Sequence, residues 1–582
     1  MKLHAQFLRL HSHTADDRDE NHTIEITLDE LAAIFDCTHR NALMIIQKME
    51  KHDWIQWTPR RGRGRRSSLH FLIQPEDIAV QSMMQAIDRH DIKRALDEIR
   101  THSRSSTMQE HLQGWLLNYF GHHAEVRSDQ QQIDTLRLPI RQQLYTLDPL
   151  YMNWLAESFV SSHVFDGLAR RANESGEILP GLAHAWEVDA TRTQWTFFLR
   201  KEVLFHNGKI LTAEDVVYTF ERLSRAPGRR LYHFIVRQIE HVQALNPTMV
   251  RFELKEPNEL FLSFLCTSRA AIVPRELNQA GEAVFGLRPV GTGAFKVTEM
   301  NESLCILEAF APYFQGRAHL DRVEIVQLPW AAKPESAADT ADTVDTASPF
   351  HIIHNPVLAG NTDTAWSQIH SAASVRKFIT CNTHKDGPLR NPEVRARIVA
   401  CLDHRSLPPM VNASDDSYEP PATLQIATIP EYRADADRVA AQLESCGYTC
   451  NIVAASMDEF KSSSIRMESD LIIFSLFRDR DEQLRLFDLY LNVSGHVEPH
   501  SRVDIERLLR DITREADHTI RARQFEHIEA RLIHEHQLHI LYEKPVQTAY
   551  LPSVRGVSFN SQGWVDLRHV WFPPAQPQIS KL

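Results

Sequence analysis

The chain has 582 residues, enough for three to five domains at roughly 100 to 200 residues each. Its 43% hydrophobic and 24% charged residues exclude disordered, collagen-like and amyloid-like compositions. A formal net charge of −12 argues, taken whole, against nucleic-acid binding, yet the stretch from Cys37 to Ile73 carries a local +6 and leaves −18 to the rest.

Met1 to Asn21 contains no apolar h-region, so no secretory leader is expected, and no run approaches the ~18 apolar residues that span a bilayer. Seven cysteines are scattered along the chain. Cys446 and Cys450 form the close pair, with no second pair to complete a tetrahedral zinc site. Reduced thiols in a cytoplasmic protein are the expectation.

Thr27 precedes Leu28, Leu31, Ala32 and Phe35, a helical apolar stripe, and Glu30 completes a capping box. Asp36 and Cys37 supply a turn. A second stripe of Ala42, Ile45, Ile46 and Met49 follows from Thr38. Two short amphipathic helices joined this tightly form a helix-turn-helix. The far face of the second helix carries Thr38, His39, Arg40, Asn41, Met44, Gln47 and Lys48, residue types that read base edges. Trp54 to Trp57 and Leu69 to Leu72 read as strands flanking a loop with Arg60, Arg61, Arg63, Arg65 and Arg66. Glycines let such a loop follow a groove while guanidinium groups meet phosphates. Residues 1–75 therefore read as a winged helix that binds double-stranded DNA.

Residues 76–134 read as a helical connector. Pro75, Glu76 and Asp77 suit a first turn, and Ile78, Met83, Met84, Ile87, Ile92, Leu96 and Ile99 follow. From about residue 135, β-branched and aromatic runs alternate with helices, the pattern of an α/β body. Trp195 to Leu199 is strand-like, Asn207-Gly208 marks a tight turn, and Thr212 caps a helix. Pro289 to Phe295 is Gly-rich but fails as a nucleotide-binding loop, leaving a turn between strands. Residues 331–348 form an acidic low-complexity run that reads as an exposed linker.

The runs LPGLAHAWEV, LFHNGKILTAEDVVYTFERL, VGTGAF and NPEVRARIVACLDH, with the terminal GVSFNSQGWVDLRHVWF, resemble the family 5 solute-binding proteins across about 135–575. The resemblance implies two α/β lobes with a ligand cleft between them, lobe 1 from residues 135–350 plus 546–582 and lobe 2 from 351–545. It also implies an acidic motif after a lobe 2 strand that can hold a peptide's amino group, here with Asp479 and Asp481 as the ligand-binding candidates, although the motif's usual tryptophan, tyrosine and proline are missing. A winged helix fused to this fold is similar to the SgrR-like regulators, with GRGRRSSL at Gly62 to Leu69 and GWVDLRHVWFPP at Gly563 to Pro574. The fold class expected is multi-domain α/β: a winged helix-turn-helix, a helical connector and a two-lobed type II periplasmic-binding-protein-like body.

No GxSxG, HExxH or nucleophilic cysteine setting is present, so neither catalysis nor a cofactor is expected. His534 and His536 stand two apart and share no helix face, which points away from a metal site. The function expected is a cytoplasmic, solute-responsive transcriptional regulator whose partners are DNA and a small sugar, phosphosugar or peptide, with no membrane partner. A homodimer fits the class, though no heptad run compels one. The alternative, an ABC transporter receptor, requires an apolar leader or lipobox, and Met1 to Asn21 holds neither.

Overall fold

The computed structural model describes residues 2–14, 24–60, 66–75, 77–79, 81–82, 120–126, 132–140, 143–172, 175–226, 230–277, 281–327, 367–403, 423–461, 464–479, 482–550, 554–560 and 564–573. Arg61, Arg63, Arg65, Asp481, the helical pattern from Met83 to Ile99 and the acidic run 331–348 lie outside the described residues.

The N-terminal unit comprises α1 (Lys2–Thr14), β1 (Ile24–Ile26), α2 (Leu28–Phe35), α3 (His39–Lys51), β2 (Ile55–Thr58) and β3 (Ser67–Phe71). Thr27 and Glu30 make the expected reciprocal cap, with the Thr27 amide donating to Glu30 Oε2 at 2.8 Å. Asp36 turns the chain in left-handed geometry at φ 49, and the Cys37 amide closes on Ala32 O at 3.0 Å. Leu31, Phe35, Ala42, Ile45, Ile46 and Met49 then meet Trp54, Ile55 and Leu69 in one buried core. Helix α1 adds Phe7 and Leu10, both fully buried, and Ile78 closes the core from beyond residue 75. The strands form an antiparallel sheet ordered β1-β3-β2, which shifts the two expected strands by one or two residues. The cause is β1, which pairs with Ser67 and Ser68 and so draws the ladder towards the loop.

The expected connector is helical where it begins, at residues 77–79 and 81–82, while its described C-terminal end is strand. β4 (Gly121–Val126) pairs antiparallel with β5 (Gln132–Ile140), forming a hairpin at the edge of a larger sheet. Pairing with β5 satisfies this backbone, and Phe120 just before β4 is buried.

In the body, β8 (Ala183–Val188), β9 (Gln194–Leu199), β10 (Ile239–Asn246) and β11 (Met249–Leu254) make an antiparallel sheet, after a short β6 (Ala169–Arg171) and β7 (Ile178–Pro180) ribbon. β12 (Phe295–Met300), β13 (Leu304–Ala309) and β14 (Arg322–Gln327) join β5 and β4, with β14 parallel to β5. The helix α4 (Leu155–Val164) covers this sheet, and α5 (Ala213–Arg225) covers the other. Thr212 caps α5 as expected, its amide donating to Asp215 Oδ2 at 2.8 Å. The C-terminal segment returns to the first lobe, where Trp564, Val565, Leu567, Val570 and Phe572 are buried with α4. His163 ties it in, accepting at Nε2 from the Leu567 amide at 3.1 Å.

The second lobe is built on a five-stranded sheet whose order is β17 (Cys450–Ala454), β16 (Leu424–Thr428), β18 (Leu471–Arg478), β15 (Ser367–Cys381) and β19 (Leu538–Tyr550). β15 and β19 pair antiparallel along most of their length. β16, β17 and β18 run parallel to one another. The helices α6 (Pro392–Leu402) and α7 (Arg433–Ser445) pack on them, Asn391 capping α6. Three further helices, α8 (Glu482–Val493), α9 (Pro499–Arg514) and α10 (His518–His534), share a core with the β8–β11 sheet.

The Gly-rich turn holds this frame by close approach. A Cβ on Gly291 would lie 2.0 Å from Val164 O, so only glycine fits. The same turn grips His206: the Gly291 amide donates to Nδ1 at 3.2 Å and Nε2–H donates to Gly293 O at 2.9 Å. Burial, with Lys296 adding repulsion against the Gly293 carbonyl's support, lowers the His206 pKa to about 4. Neutral His206 therefore stabilises the fold fully above its unfolded value near 6.5, by about 3 kcal/mol, and that stability is lost as pH falls towards 4. Urea titrations of wild type and His206→Asn from pH 7.5 to 4 test this: the variant's stability is expected to fall less steeply below pH 6.5.

Candidate DNA-binding face and solute cleft

The buried stripe of α3 turns the opposite face outward, so Arg40, Asn41, Met44, Gln47 and Lys48 are all exposed. Leu43, absent from the expected set, is also exposed and continues the i, i+3, i+4, i+7 stripe of Arg40, Met44 and Gln47. Thr38 serves the helix itself, its hydroxyl accepting from the Asn41 amide at 3.4 Å. His39 is held by Asp29 of α2 at 2.7 Å, both side chains remaining mostly in solvent. At the wing root, Arg60 pairs with Glu25 at 3.3 Å and Arg66 with Glu30 at 3.1 Å. Arg66 also donates to Glu25 O at 3.2 Å, fixing where the loop leaves the sheet. These exposed pairs are weak and exchange readily for other anions.

Between the lobes the packing is direct. Trp154, just before α4, packs against Ala427, Ile429, Phe460 and Ile472 of the second lobe. Lys461 donates to the Asn153 side chain beside it. Phe234 stacks on Phe487 of α8 with ring centroids 4.0 Å apart. Glu157 of α4 accepts backbone N–H bonds from Tyr145, Thr146, Asn153 and Trp154 at 2.7 to 3.2 Å. Burial raises its pKa and those four amides oppose the rise.

Asp479 emerges at the end of β18 into this region, nearly buried. Its carboxylate is paired with Arg485 of α8, whose guanidinium also lies 5.3 Å from the centre of the Phe477 ring. The protein's own cation thus occupies the acid that the family resemblance assigned to a ligand's amino group. Arg485 went unread in the sequence, because its partner lies across a strand end and follows no helical spacing. Arg230 of the first lobe, also unread, sits 4.8 Å from the centre of the Tyr151 ring.

Residues 177–477 match the bacterial extracellular solute-binding proteins, family 5. The chain belongs to that family. Residues 2–123 match the N-terminal domain of the sugar transport-related sRNA regulators, which makes it an SgrR-like member carrying a family 5 body. The HTH-type transcriptional regulator SgrR of Pectobacterium atrosepticum is 24% identical, with 99% of each chain covered. The uncharacterised protein YhjP of Bacillus subtilis is 26% identical over 94% of this chain and 96% of its own. Among solved structures, the periplasmic binding protein DppA of Helicobacter pylori, in complex with the peptide STSA, superposes with a TM-score of 0.59 at 19% identity. It covers 75% of this chain and 98% of its own, and a Pseudoalteromonas dipeptide-binding protein likewise gives 0.59 at 17% identity. These structures establish the two-lobed fold of the family 5 body.

Removing Arg485 would leave Asp479 as an unpaired buried charge. Arg485→Met is expected to destabilise the body by about 3 to 5 kcal/mol, and Asp479→Asn added to it should recover part of the loss. Denaturant melts of the two variants check this.

Proposed function

We propose that this chain is a solute-responsive transcriptional regulator and not an enzyme, with α3 and the arginine loop meeting double-stranded DNA. The observation that carries this reading is the exposed set Arg40, Asn41, Leu43, Met44, Gln47 and Lys48 on a helix anchored by Ala42, Ile45, Ile46 and Met49. Arg, Asn and Gln suit bidentate contacts to bases, and the loop arginines suit phosphates. The matched regulator domain and the whole-length similarity to regulators named SgrR support it. Among the described residues no helix is long and apolar enough to cross a membrane, which is compatible with a regulator acting in the cytoplasm.

A small solute held between the lobes would favour one lobe arrangement, and the segment 76–134 would pass the change to the winged helix. Coupling of ~1 to 3 kcal/mol would alter DNA occupancy by roughly 5- to 150-fold. The receptor-only alternative has less support, since it leaves the winged helix without a role.

Gel-shift titrations across a salt series test the assignment on the full chain. Arg40→Ala and Gln47→Ala should each cost about 1 to 3 kcal/mol on a selected site and little on random DNA. Arg63→Ala with Arg65→Ala should weaken binding to all sequences and reduce the salt slope by about 2. An unchanged slope would remove the wing from the interface.

A further inference from the structure

Two apolar side chains stand in solvent on the face of α3 that carries Arg40 and Gln47. Leu43 is 38% exposed and Met44 47%, while Ala42, Ile45, Ile46 and Met49 of the same helix are buried. Single exposed apolar residues are ordinary on a protein surface, but two neighbours inside a polar face make a patch. Leu43 and Met44 lie three and four residues after Arg40, and four and three before Gln47, so the four side chains share one stripe. Leu72, also exposed, lies apart from them, at the end of the β2–β3 ladder remote from the arginine loop.

The surroundings of the pair are cationic. Lys48 and Lys51 are exposed farther along the helix. Glu50, the one acid of α3, is tied to the sheet, its Oε1 accepting from the Trp57 amide of β2 at 3.0 Å. Asp29 of α2 is bonded to His39 at 2.7 Å. An apolar centre, hydrogen-bonding ends and a positive surround match the major groove of a duplex. Phosphates line its walls, base edges offer donors and acceptors, and the apolar group among those edges is the 5-methyl of thymine.

We propose that Leu43 and Met44 read thymine, burying its 5-methyl group between the bases read by Arg40 and Gln47. The inference rests on reading α3 as the DNA-recognition helix and names the base that its apolar part selects. Arg40 and Gln47 are seven residues apart. That is about 10.5 Å of helix, or about three base-pair steps of 3.4 Å, so the thymine falls within about three base pairs of the positions they read. Met44, unbranched and polarisable, can adjust to the methyl beside the stiffer Leu43.

Gel shifts of the full chain on duplexes selected from a random pool test it, each thymine being replaced in turn by uracil. Uracil lacks the methyl and keeps the pairing. At one or two positions the replacement should weaken wild-type binding about three- to fivefold, the effect of one buried methyl. Leu43→Ala combined with Met44→Ala should bind the thymine and uracil duplexes equally. Both side chains are exposed and alanine favours helix, so this variant should melt as the wild type does. The proposal is overturned if the selected site holds no thymine, if no uracil replacement costs the wild type, or if the double variant keeps the preference for thymine. Light scattering checks the other occupant: a wild-type dimer that the double variant turns into monomer would assign the pair to a contact between copies and overturn the proposal. Failure of the wild type to select any duplex defeats the regulator reading itself, whereas a selected site indifferent to uracil defeats the thymine reading alone.

Discussion

One apolar seam holds the large body together. It runs from the β8–β11 sheet, through Phe252, Phe261 and Phe264, into Leu484, Phe487, Tyr490, Phe525 and Ile528 of α8 and α10. Burial of this kind contributes on the order of 25 cal/mol per Å² of apolar surface and has no direction, so the seam fixes proximity without fixing chemistry. Polar contacts along its edge add the alignment: the Glu259 amide donates to Thr513 O at 2.8 Å, and Arg514 reaches Glu256 at the same distance. By docking α8 on the first lobe, the seam brings Phe487 onto Phe234 and carries Arg485, with its partner Asp479, to the junction of the lobes.

Charge is distributed on the opposite principle, pair by pair. The deep carboxylates Asp148 and Asp566 have arginine partners, and Asp566 is held well below the usual carboxylate range, with Arg568 overcoming the cost of burial. Such pairs cost about as much desolvation as they return in attraction, so their chief effect is to specify one arrangement. The surface follows a coarser rule. The basic stretch from Cys37 to Ile73 stands against an acidic remainder, so a duplex would be attracted to the wing and helix face and repelled by the body.

Much of the winged helix was legible from spacing. The stripes of α2 and α3, the Thr27–Glu30 box and the Asp36 turn are local, each set by side chains within a few residues of one another. The exposed face of α3 follows at once, because whatever is not in the stripe points away from the core. Leu43 belonged to that face by the same rule. α1 and β1 were less legible: β1 is three residues long and exists because β3 lies beside it. The hairpin of β4 and β5 went unread for a related reason. Gly121 to Val126 carries His122 and His123 and little apolar pattern, and its strand state depends on the body beneath it.

What the sequence alone determined is the inventory: two amphipathic helices, a basic loop, and an ordered set of strand and helix signals that marked an α/β body. Local backbone preference and side-chain periodicity act within a turn or two, and they survive in any fold that contains the segment. Tertiary structure alone decided which charges are answered. Asp479 and Arg485 are six residues apart, and Asp148 and Arg222 seventy-four. Coulomb interactions depend on distance in space and on exclusion of water, and neither is written in the order of residues along the chain.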